Sequence, residues 1–134
     1  MEIIWEDVVK LVLTAGLAVL IGYDREKRNK AAGVRTNMIV AIISCLIMIL
    51  SIRIAGSDLG LKNNADPARL AAQVISGIGF LGAGTIIKQK DKIEGLTTAA
   101  SLWGVAGLGL AVGYGLYSIA IAAALIIFIG LLVG

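Results

Sequence analysis

The stretch LYSIAIAAALIIFIGLLVG, residues 116–134, contains no charged side chain. A helix needs roughly 17–25 mostly apolar residues to cross the hydrocarbon core of a bilayer. This stretch therefore predicts a transmembrane helix. The preceding Gly113-Tyr114-Gly115 predicts a tight break from the segment before it.

Four more apolar stretches precede this one in the chain. They extend from about Val8 to Tyr23, from Thr36 to Ala55, from Leu70 to Ile87 and from Leu96 to Val112. The stretches are too long for strands and lack a period of two. Hydrophobic residues make up 58% of the chain and charged residues 16%, against roughly 45–50% and about 25% in soluble domains. We therefore predict an all-α fold, a bundle of five transmembrane helices forming one membrane domain over residues 1–134, with no soluble C-terminal domain in this chain.

The residue inventory argues against an enzyme. The chain has no His and one Cys, which excludes His-based metal sites, Ser-His-Asp triads and an intrachain disulfide. No nucleophile–base pair or metal-ligand set is evident. We expect no catalytic residue, no bound metal and no cofactor.

The basic residues predict the orientation in the membrane, because cytoplasmic loops carry an excess of Lys and Arg. Eight bases lie in the first and third loops: Arg25, Lys27, Arg28, Lys30, Arg35, Lys88, Lys90 and Lys92. Four lie on the other side: Lys10, Arg53, Lys62 and Arg69. The predicted topology has the N-terminus outside and the C-terminus inside. These bases also suit anionic lipid, whereas nucleic-acid binding is not expected, since interleaved aromatic residues are lacking.

Polar residues at the ends of the stretches are candidate functional residues, because ionisable groups near membrane depth are costly. Asp24, Arg25 and Glu26 end the first stretch, and Arg35 begins the second. We expect an ion pair between the two helices, with Arg25 or Arg35 as donor. The cluster is either a structural clamp or a binding site for a ligand or partner.

Two other polar groups lie at the starts of the third and fourth stretches. Asp66 is predicted to cap a helix, and Arg69 and Gln73 share one face of that helix. Thr97 and Thr98 either cap the fourth helix or line a cavity that faces the cytoplasm.

Small residues recur at helical spacing in the third and fourth stretches. Residues 77–82 match G-x-G-x-x-G, but the nucleotide-binding motif requires a preceding strand. Close helix packing is the better interpretation. We expect the third and fourth helices to pack together through two small faces, formed by Ser76, Gly79, Ala83, Ala100, Gly104 and Gly107.

Five motifs, taken in order, resemble the MgtC/SapB family of bacterial inner-membrane proteins. They are GYDRE (22–26), AGVRT (32–36), DPARLAAQV (66–74), SGIGFLGAG (76–84) and GLTTAASLW (95–103). The resemblance covers nearly the whole chain. It implies a multi-pass inner-membrane protein whose five-span domain is followed, in the family prototype, by a small cytoplasmic α/β domain.

The resemblance also implies a function, namely adaptation to low magnesium and, in pathogens, virulence. The MgtC branch is linked to restraint of the F-type ATP synthase through its membrane sector and is not generally regarded as a magnesium transporter. The first hypothesis is therefore a regulatory protein in the lipid bilayer. It would dock a second copy, with a homodimer favoured among homo-oligomers, or an ATP synthase subunit. The second hypothesis is a small ion or solute transporter with Arg25, Glu26, Arg35, Arg69 and Gln73 along its path.

Overall fold

Helices account for most of the residues that the computed structural model describes, which are 5–89 and 92–133. In this part of the chain the helices are α1 (Trp5–Lys27), α2 (Val34–Ala55), α3 (Asp58–Lys62), α4 (Arg69–Ala83), α5 (Leu96–Tyr114) and α6 (Tyr117–Leu132). A small antiparallel hairpin, β1 (Ile87–Gln89) and β2 (Lys92–Glu94), joins α4 to α5 and pairs Ile87 with Glu94. The prediction of a mostly helical chain is confirmed.

Length and composition divide the long helices into three groups. α2 and α5 are long and apolar enough to cross a membrane. α4 and α6 are apolar but shorter. α1 is long, but the bases and acids at both of its ends limit its uncharged part to residues 11–23.

The third predicted stretch does not stay helical as far as Ile87, so its predicted end was wrong. α4 ends at Ala83, Thr85 Oγ1 donates to the Gly82 carbonyl at 2.7 Å, and Ile87 begins β1. Thr and Ile are β-branched and favour extended backbone over helix. Apolar character alone does not separate a short strand from the end of a helix. Lys90, counted above with the basic loop, lies outside the described residues.

The long helices run alternately between two ends of the bundle. At one end of the bundle, the C-terminal ends of α1 and α6 meet the N-terminal ends of α2 and α5. We call this the basic end. At the opposite end, Arg53 of α2 forms an ion pair with Asp7 of α1. There Lys10 Nζ also donates to the Gly113 carbonyl at 3.1 Å.

α2 and α5 form the centre of the bundle and pack against each other and against α1. Glycine makes this contact possible, because a Cβ on Gly109 would lie 2.3 Å from the Ala41 carbonyl oxygen. A Cβ on Gly113 would lie 2.7 Å from Met48 Cβ. Small residues of this kind let helix backbones approach closely in a membrane. The buried side chains around the contact include Ile21, Leu102 and others that are apolar.

The third and fourth predicted helices, α4 and α5, do contact each other, but not through the predicted small residues. A Cβ on Gly79 or Gly107 would meet no atom within 4 Å, and Ser76, Ala83 and Ala100 are also exposed. α4 does contact α5, but through Gly82, whose added Cβ would lie 3.5 Å from Ala99 Cβ.

The reason for this difference lies in the other side chains of α4. The helix turns Ala71, Ile78 and Gly82 inward, and Ile78 packs in the apolar core with Leu102 and Val105, where a large side chain gains many van der Waals contacts. A face made of Ser76 and Gly79 offers less side-chain surface for contact. In α5, Gly104 contacts Ile127 of α6 instead, with 3.5 Å from an added Cβ to the Ile127 Cδ1.

The two neighbouring glycines of α5 predict opposite outcomes for the same substitution. Gly109→Ala should destabilise the chain by about 1–3 kcal/mol or more, because the new methyl group collides with the α2 backbone. Gly107→Ala, the matched control, should leave stability unchanged or raise it by up to about 1 kcal/mol, since alanine favours helix. Thermal unfolding of the purified chain in detergent micelles measures both. Equal stability of the two variants would contradict this account of the α2–α5 contact.

Candidate functional site

A cavity of about 710 Å³ lies at the basic end. It is enclosed by the C-terminal ends of α1 and α6, the hairpin and the N-terminal end of α5. We call it the basic pocket. The polar side chains that line it are Arg25, Arg28, Asn29, Lys30, Thr85, Lys92, Glu94, Thr97 and Thr98. Four of these side chains are cationic and one is anionic, so the lining has an excess of positive charge.

Arg25 is the buried cation of this pocket, with 4% of its side chain exposed. It occupies the last turn of α1, and its Nη2 donates to Thr98 Oγ1 in the first turn of α5 at 3.1 Å. Its Nε is buried and has no hydrogen-bond partner among the described residues. Burial lowers the pKa of the Arg25 guanidinium from its ordinary value, and the neighbouring Asp24 carboxylate opposes this change. An arginine stays protonated nonetheless, so the charge is retained.

Asp24 is the acidic partner at this end and is likewise buried. Its Oδ1 accepts a hydrogen bond from Arg28 Nε at 3.1 Å, and its Oδ2 lies 3.8 Å from Arg25 Nη1. One carboxylate is thus shared by two guanidinium groups. The local charge stays positive after this pairing.

The start of α5 forms one wall of the basic pocket. Gly95 precedes the helix with φ +93°, and no side chain caps the free N–H groups of the first turn. A residue with a Cβ is excluded here, because the Cβ would lie 1.9 Å from the Thr85 carbonyl oxygen. A helix start with free N–H groups carries a partial positive charge and favours an anion. Thr97 is exposed, whereas Thr98 is buried and accepts from Arg25.

The predicted ion pair between the first two helices is absent from the described residues. Asp24 pairs with Arg25 of the same helix and with Arg28, which directly follows α1. Glu26 and Arg35 are exposed and line a separate cavity of about 640 Å³. The two helices are joined by backbone contact instead, since a Cβ on Gly22 would lie 2.7 Å from the Val34 Cα.

The polar residues of α4 lie away from the basic pocket. Asp66 Oδ1 accepts from the Ala68 N–H at 2.9 Å, just before α4 begins, and Arg69 is exposed. Gln73 lines an apolar groove of about 420 Å³ between α2 and α4, together with Ser44. The structure therefore brings Arg25, Thr97 and Thr98 to one pocket and leaves Asp66, Arg69 and Gln73 elsewhere.

Sequence reasoning missed the three other bases of the basic pocket, Arg28, Lys30 and Lys92, and also its polar members Asn29, Thr85 and Glu94. The three bases were counted only as residues that orient the chain. The sequence did hold a signal that these bases lie together. The loops before α2 and α5 both carry bases, and the predicted topology places both loops on the same side of the membrane.

The chain was compared with known protein families. The family model described as the MgtC family matches residues 11–134.

The chain belongs to the MgtC family.

Three relatives illustrate the match. SapB of Bacillus subtilis (strain 168) is 46% identical over 123 residues, which cover 90% of this chain and 53% of that protein. MgtC of Salmonella typhimurium (strain LT2) is 42% identical over 120 residues, covering 90% and 48%. YhiD of Escherichia coli (strain K12), whose name includes the words magnesium transporter, is 41% identical over 117 residues, covering 87% and 54%.

The chain spans about half the length of these curated relatives. No solved structure matches it significantly. The MgtC/SapB resemblance of the five motifs is thus confirmed at the level of the family.

The Arg25–Thr98 hydrogen bond links α1 to α5 and predicts a difference between adjacent threonines. Thr98→Val should destabilise this MgtC-family chain by about 1–3 kcal/mol, because a buried guanidinium loses an acceptor. Thr97→Val, on the exposed neighbour, should change the free energy of unfolding by less than about 0.5 kcal/mol. Thermal unfolding in detergent micelles compares the two. A smaller loss in Thr98→Val than in Thr97→Val would rule out a stabilising role for this bond.

Proposed function

We propose that the chain is a five-span domain of the bacterial inner membrane, with the basic end in the cytoplasm. Alternation of the long helices between the two ends supports five crossings with the N-terminus outside and the C-terminus inside. Exposed large apolar side chains also support it, since Phe80 is 84% exposed and Trp103 and Ile126 are exposed as well. So much apolar surface suits contact with lipid.

The orientation is testable by labelling single cysteines in a variant whose Cys45 is replaced by Ala. Lys62→Cys, in α3 at the opposite end, should react with a membrane-impermeant maleimide added to intact cells. Lys92→Cys, in the hairpin at the basic end, should react only after the cells are permeabilised. Both lysines are exposed, so access to the label decides the result. Labelling of Lys92→Cys in intact cells would reverse the proposed orientation.

We propose further that this domain acts by contacting another membrane protein and not by conducting ions itself. The observation that carries this proposal is the apolar interior between the two ends. The buried side chains there include Ile21, Val105 and Val112. Buried polar groups between the two ends are dispersed among the described residues: Ser44 Oγ donates to the Val40 carbonyl of its own helix at 2.9 Å, and Thr14 Oγ1 has no partner. A conducting path needs polar groups or water along its length.

The regulatory contact is proposed to involve the exposed small residues of α4 and α5. Ser76 is exposed, and a Cβ on Gly79 or Gly107 would meet no described atom within 4 Å; small faces are typical of helix contacts in membranes. Following the family resemblance, we propose that the face binds a helix of the ATP synthase membrane sector during adaptation to low magnesium. A homodimer through the same face is the competing outcome.

ATP-driven proton pumping in inverted inner-membrane vesicles tests the contact. Vesicles that contain the wild-type chain should pump more slowly than vesicles without it, and Gly79→Leu should restore pumping because leucine keeps the partner helix away. Gly16→Leu on α1 is the matched control, since its added Cβ also meets no atom within 4 Å. Equal pumping with and without the wild-type chain would contradict regulation of this partner. Loss of a dimer in Gly79→Leu alone, measured in detergent, would assign the face to a second copy.

Transport is the second candidate, supported by the name of the YhiD relative. Liposomes that contain the purified chain should show no more flux of magnesium or protons than empty liposomes. A flux that requires the chain would favour transport over regulation.

A further inference from the structure

We infer that the basic pocket is a binding site for a phosphate group, carried either by a free phosphate compound or by an anionic lipid headgroup. The inference goes beyond the proposed regulatory contact and does not depend on it. It rests on three features of the pocket: its charge, the free donors of a helix start and the burial of the Arg25 guanidinium.

The charge of the pocket is the first feature. Arg25, Arg28, Lys30 and Lys92 line it, while Glu94 and the adjoining Asp24 supply the opposing charge. Glu94 is already paired with Lys92 at 3.2 Å, and Asp24 is shared between two arginines. The remaining positive charge attracts an anion, more strongly at the edge of a membrane than in open water, because the effective dielectric is lower there.

The start of α5 is the second feature. Among the described residues no side chain caps its first N–H groups, and Gly95, Leu96 and Thr97 of this helix start line the pocket. Thr97 adds an exposed hydroxyl at the same wall. Backbone N–H groups at a helix start, together with neighbouring Lys and Arg, form the kind of site that binds phosphate in many proteins.

The burial of Arg25 is the third feature. It is more than nine-tenths buried, it lines the pocket, and its Nε–H has no acceptor in the described part of the chain. A buried guanidinium with a free donor is costly unless an anion or water completes its bonding. A phosphate group in the pocket offsets the charge that Arg25 brings to the pocket wall.

The dimensions of the pocket suit a phosphate group with a further substituent. A volume of about 710 Å³ falls in the range of small-molecule sites, which is more than inorganic phosphate fills. Leu131 at the end of α6 and Val133 just after it contribute an apolar border, so the substituent can be partly apolar. Basic pockets of this kind at the cytoplasmic surface also bind phospholipid headgroups.

Thermal unfolding of the full chain in a zwitterionic detergent, at constant ionic strength, tests the inference. One arm adds inorganic phosphate with chloride as the control salt. The other adds phosphatidylglycerol with phosphatidylcholine as the control lipid. We expect a saturable rise in melting temperature in at least one arm. A rise with phosphate assigns the site to free phosphate compounds, and a rise with phosphatidylglycerol alone assigns it to the headgroup.

A pair of matched variants locates the site. Lys30→Gln combined with Lys92→Gln removes two exposed bases of the pocket and should weaken binding by roughly tenfold or more, since hydrogen bonds to charged groups are strong. Lys27→Gln combined with Arg35→Gln removes the same charge from the same end outside the pocket and should bind within about threefold of wild type, because distant surface charges are screened.

Two results would overturn the inference: no rise in melting temperature in either arm, or equal weakening in the two double variants. The melting temperature without ligand shows that each variant is folded, and all four substituted side chains are exposed. The proposed regulatory function is judged separately. A chain that binds phosphate but leaves proton pumping unchanged would contradict only the regulatory proposal.

Discussion

The close contact between α2 and α5 is the constraint on which the other features depend. Without water to drive apolar surfaces together, helices in a membrane associate through close packing. Gly109 and Gly113 supply the closeness, because any Cβ at either position would overlap α2. Ser44 of α2 lies at this contact, and its hydroxyl bonds to a carbonyl of its own helix at 2.9 Å. The two backbones therefore meet without leaving that hydroxyl unsatisfied.

The position of α5 then determines what happens at the basic end. With α5 held on α2 and packed against α1, its first turn arrives beside the last turn of α1. Thr98 comes within hydrogen-bond distance of Arg25, and the chain before it must turn sharply past Thr85. That turn requires the left-handed backbone of Gly95, φ +93°, and excludes a side chain there. The pocket is thus a consequence of helix packing in the middle of the bundle.

Sequence reasoning located the five long helices because their apolar length and lack of a period of two are properties of single segments. It failed where two segments compete for one contact. By sequence alone, Gly79 and Gly107 are as suitable for packing as Gly82 and Gly109. The faces that turn inward are those that also carry a large apolar side chain, Ile78 in α4 and Leu102 in α5. Arg25 was identified as a functional candidate. Thr98 was identified as well, but the hydrogen bond between the two was not, since 73 residues separate them and no local pattern links them. The hairpin was missed because Ile86 and Ile87 continue the apolar stretch.

The same bases carry two separate consequences, one in the membrane and one in the fold. As a count, bases in short loops near the span ends favour one side of the bilayer, and their exact order within a loop does not matter for that effect. As a cluster, they depend on position, because only those near the start of α5 line the pocket. Lys27 and Arg35 contribute to the count alone, whereas Arg28 and Lys30 contribute to both. Positive charge in a loop keeps that loop on the cytoplasmic side. Exposed bases are sufficient for this effect, so a buried arginine is not needed. The burial of Arg25 to 4% exposure, at the cost of removing a charge from water, is therefore not explained by topology and follows from its place between Asp24 and Thr98.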